Sequence, residues 1–140
     1  MAGRKDFDEA EWASMRKGIV GTGMLVSLSD RDFTDTFGEV SAMAKYLAGQ
    51  EMAASSELVR ELCHDRSRPF GLTDPPEKVR TETMASLRGS IARLTDKSPD
   101  DVDAYKAVVL GVAEAVAAAK GGGVSEVEST MIGEVRAALG

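Results

Sequence analysis

The residues best suited to chemistry lie in a few short stretches. Asp30, Asp32 and Asp35 begin like an EF-hand cation loop, Asp-x-Asp-x-Thr. That loop needs glycine at its sixth position to turn sharply and glutamate at its twelfth to supply two oxygens. Asp35 and Ser41 stand there instead, so the EF-hand is excluded and the acids read as capping groups on a solvated turn. Cys63-His64 joins a thiol to an imidazole. Neighbours on a helix point about 100° apart, and a nucleophilic cysteine needs its base across space. Cys63 therefore reads as a small buried hydrophobe and His64 as a polar group near a helix end. Gly18, Gly21 and Gly23 have neither the preceding strand nor the spacing of a phosphate-binding loop, and no Lys-Ser/Thr follows Gly121-Gly122-Gly123. No Ser-His-Asp, His-x-x-x-His or paired-carboxylate pattern is present, which makes a small helical enzyme the least supported class and leaves no catalytic residue to name.

The composition narrows the field in the same direction. The chain has 140 residues, suited to one domain over 1–140, with 17 Lys+Arg against 23 Asp+Glu. A net charge of −6 argues against a nucleic-acid partner, which selects for a basic surface. Arg66 with Arg68, and Lys78 with Arg80, are candidates for a local basic patch. The loop Arg66-Ser67-Arg68-Pro69-Phe70 reads as solvated in so acidic a chain. One Cys and one His exclude an internal disulfide and an ordinary structural zinc site. The longest low-charge run, Gly18 to Ser29, is shorter than the roughly 20 residues of a membrane helix. With a charged start at Arg4-Lys5-Asp6, a cytoplasmic protein without a transmembrane segment is expected.

The elements that must position these residues are all helical. Trp12, Met15, Ile19, Gly23 and Val26 share one face of a first helix running from Asp6 or Asp8 to about Leu28. Val20, Met24 and Leu28 widen that face, so this helix is expected at the centre, and its three glycines predict a close neighbour. A second helix follows the turn Ser29 to Asp35, opening on the capping box Thr36 to Glu39. Its stripe is Phe33, Phe37, Val40, Ala44 and Leu47, and Gly49 is its expected stop. A short third helix starts near Ser55 or Ser56 and buries Leu58, Val59 and Leu62, followed by the irregular stretch Asp65 to Thr73. Asp74-Pro75 opens a fourth, with Asp74 as cap and Met84, Leu87, Ile91 and Leu94 inward. Ser98-Pro99-Asp100-Asp101 opens a fifth, which buries Val102, Tyr105, Val109, Val112, Val116 and Ala119. Ser125 to Glu128 opens a sixth, which buries Val127, Met131, Val135 and Ala138. The expectation is an all-α single-domain irregular bundle of about six helices.

Two corners of this bundle echo one another. In each, a helix ends, a tight turn follows, and a capping box starts an amphipathic helix. Asp32 lies seven residues before Glu39, and Gly121 seven before Glu128. The second corner reads Ala119-Lys120-Gly121-Gly122-Gly123-Val124-Ser125-Glu126-Val127-Glu128. It resembles the Ala-Asp-Gly-x-Val-Ser-x-x-Glu corner of the TerB-like (tellurite-resistance protein B-like) helical family. The first corner, Ser29 to Glu39, fits the same pattern more loosely. The resemblance implies two pseudo-symmetric helical halves, a place in bacterial stress or surveillance systems, and a divalent cation held by acidic corner residues. Carried onto this chain, the metal ligands it implies are Asp30, Asp32 and Glu39. Lys120 stands where the family has aspartate, so no second cation is expected. The functional expectation is a non-enzymatic stress-associated or scaffold domain acting through protein contacts. A metal-free homo-oligomeric interaction domain is the alternative.

Overall fold

The computed structural model describes residues 3–29, 36–65, 70, 74–119 and 126–140, with backbone alone at 28–29, 36–40 and 126–128. Among them are six helices and no strand: α1 (Glu9–Ser29), α2 (Thr36–Ala53), α3 (Glu57–His64), α4 (Pro76–Lys97), α5 (Val102–Ala118) and α6 (Glu126–Leu139). Short 3-10 turns at Arg4–Asp6 and Pro99–Asp101 lead into α1 and α5. The fold is an all-α bundle, as the periodicity predicts.

The central position expected of α1 is observed, because it packs against α4, α5, α6 and α2. The centre of its predicted face is buried, with Trp12, Met15, Ile19 and Val26 at most 3% exposed, and Val20 and Met24 beside it are half-buried. The start of α1 lies against the end of α4, so the pair is antiparallel. The helices come close because α1 has no side chains at the crossing points. A Cβ on Gly18 would strike the Tyr105 hydroxyl, one on Gly21 would overlap Thr83, and one on Gly23 would strike the Met43 sulfur. Tyr105 is fully buried and donates its hydroxyl proton to the Met15 carbonyl at 2.9 Å. Burial pushes the Tyr105 phenol well above its ordinary value.

Three local expectations need correction. Gly49 does not end α2, which continues to Ala53. Gly49 sits on the exposed side with nothing near it, so the helix bears only the propensity cost of about 1 kcal/mol. Ala44 is not inward. The inner face of α2 is set by Met43, Tyr46 and Leu47, and Tyr46 lies across Gly111 of α5, so Ala44 falls on the outer side. Asp74 does not cap α4. The helix begins at Pro76, and the preceding Pro75 is held extended at ψ 143° because a residue before proline is driven out of the helical region. Two other starts agree with expectation. Ser56 caps α3 by accepting the Val59 N–H at 3.2 Å. Asp8 caps α1 by accepting the Glu11 N–H at 2.7 Å.

Candidate functional site

The densest polar arrangement on the described residues is built where the N-terminal segment meets α3 and the end of α4. It begins with a reciprocal capping box. Asp8 accepts from Glu11, and Glu11 Oε1 accepts the Asp8 N–H at 3.0 Å. The same carboxylate reaches across to α4, taking Lys97 Nζ at 2.9 Å and Arg93 Nη1 at 2.6 Å. Glu11 is only 5% exposed. The Asp8 N–H, then Lys97 and Arg93, hold its carboxyl well below the ordinary value, at about 2, against the opposing effect of burial. A carboxylate depressed in the folded state stabilises it above the unfolded value, and that stabilisation is lost as pH falls. Between the ordinary value of 4.5 and about 2, the wild-type chain is therefore expected to lose its stability margin over Glu11→Gln. Thermal unfolding across that acid window checks this, and parallel curves would refute it.

Beside this clasp lie two adjoining shallow hollows of about 490 Å³ each. Gly3, Arg4 and Lys5 line one side of the first, and Glu57 and Glu61 of α3 line the other. The second runs on past Trp12, Arg60, His64 and Asp65. Glu57, Glu61 and Asp65 recur every fourth residue, so helical geometry puts them on one face. Two of these acids have identified structural roles. Glu61 Oε2 accepts the Arg4 N–H at 2.7 Å, and Asp65 Oδ2 accepts the Trp12 indole N–H at 2.9 Å. The Arg4 guanidinium stands 5.4 Å from the centre of the Trp12 ring, a cation–π contact. The arrangement thus holds the N-terminal segment onto the bundle.

Cys63 and His64 are not brought together. Cys63 is fully buried, whereas His64 points out and pairs its Nδ1 with Glu51 Oε1 of α2 at 2.5 Å. An exposed pair of this kind contributes about 0–1 kcal/mol. Lys78 and Arg80 do not form a basic patch: they pair with Asp74 at 3.4 Å and with Glu134 of α6 at 2.5 Å. Asp30 and Asp32 lie outside the described residues, as do Arg66, Arg68 and the turn 120–125, and of Glu39 only the backbone within α2 is described. Among the described residues no three His, Cys, Asp or Glu side chains form a set able to hold a metal. The cation reading is checked by following the melting temperature with Ca²⁺, Mg²⁺, Mn²⁺ and Zn²⁺. A cation bound to the native state raises it by mass action, and Asp32→Ala and Glu39→Ala are expected to abolish that rise. No response to any of the four removes the reading.

The outer face of α2 is the other candidate. Ala44, Lys45, Ala48, Gly49 and Met52 are all exposed. Met52, at 88% exposure, is the one large apolar side chain among the described residues that stands free of the bundle. The sequence reading missed this face because it placed Ala44 inward. The available signal was the small residues Ala44, Ala48 and Gly49 at helical spacing, while the exposure of Met52 is visible only in the structure.

Comparison with protein-family models, with curated proteins and with solved structures finds no match to this chain. What the fold defines is a class, an all-α bundle around one central helix. Among the described residues no helix is long and apolar enough to cross a membrane.

Proposed function

We propose that this chain is a non-enzymatic scaffold domain that acts through protein contacts, with the outer face of α2 as its contact surface. One observation carries the reading. The chain buries or half-buries its other described large apolar side chains but presents Met52 on a face that carries Ala44, Ala48 and Gly49 beside Lys45. Small residues let a partner's backbone approach, and an adaptable methionine fills what remains. The association with bacterial stress systems belongs to the same proposal and rests on the resemblance of the corner 119–128.

A photo-crosslinking residue placed at Met52, and another at the exposed Arg88 of α4 as a control, tests this in cells. Adducts are expected at 52 and not at 88, and an added Ala48→Glu is expected to remove them. Equal adducts at both positions, or none at 52, overturn the proposal. The adduct's mass tells a second copy of the chain from a different protein.

A further inference from the structure

We draw no further inference here: the strongest candidate, the shallow groove between the N-terminal 3-10 turn and α3, carries nothing because Glu61 and Asp65 already hold Arg4 and Trp12, and among the described residues no buried polar side chain is aimed into it to select a ligand.

Discussion

Trp12→Ala is expected to lower the unfolding free energy by about 3–5 kcal/mol, the cost of deleting a large buried aromatic side chain. The indole is 3% exposed and is held on three sides. Its edge donates to Asp65 at 2.9 Å, its face lies under Arg4, and its body belongs to the core cluster with Met15 and Ile19. Total stability for a domain is about 5–15 kcal/mol, so this one change removes a large part of it. Trp12→Phe keeps most of the apolar volume but returns no donor to Asp65, and is expected to cost about 1–2 kcal/mol. Urea unfolding followed by far-ultraviolet circular dichroism measures both. Fluorescence does not serve, because Trp12 is the chain's one tryptophan. If Trp12→Ala stayed within about 1 kcal/mol of wild type, the observed burial would be wrong.

The second large effect separates two helix glycines that look alike in sequence. In a helix, alanine is favoured over glycine by about 1 kcal/mol. At Gly49 nothing lies within 4 Å of an added Cβ, so Gly49→Ala is expected to stabilise the chain by about that amount. At Gly21 the same methyl overlaps the Thr83 hydroxyl and stands 3.0 Å from both its Cβ and its methyl. Thr83 is fully buried and branched at Cβ, so it has little rotamer freedom with which to clear the methyl. Gly21→Ala is therefore expected to destabilise by about 1–3 kcal/mol in spite of its better propensity. Adding Thr83→Ala removes the overlapping hydroxyl and the methyl and is expected to recover most of the loss, a coupling that a double-mutant cycle measures directly. Two changes of equal sign, or a cycle with no coupling, would mean that α1 and α4 do not cross as described.

Much of the fold was legible because burial follows helical period. The stripe Trp12, Met15, Ile19 and Val26 is one face of one helix, and it is the buried face. Ser56 before an apolar run caps α3, and Cys63 beside Leu62 is core. Errors arose where a local signal competed with a neighbour. Gly49 looked like a stop, but a glycine ends a helix only when the chain takes up the turn, and α2 keeps its hydrogen bonds past it: the Ala54 N–H still reaches Gln50. Asp74 looked like a cap, but Pro76 behind Pro75 delayed the start. The clasp was half visible. Asp8-x-x-Glu11 is a readable capping box, yet nothing in the spacing points to Arg93 and Lys97, more than 80 residues away.

The same division holds for the candidate site. Residue order alone determined the class of the chain, all-helical and acidic, with its single cysteine inward and its histidine at a helix end. These are properties of one element at a time, set by periodicity, capping and charge. Tertiary structure decided how the elements are turned against one another. Tyr46 lying across Gly111 sets the rotation of α2 and carries Ala44 outward, onto the side that presents Met52. The rotation of a helix about its axis is chosen by what it packs against, and that neighbour lies far along the chain.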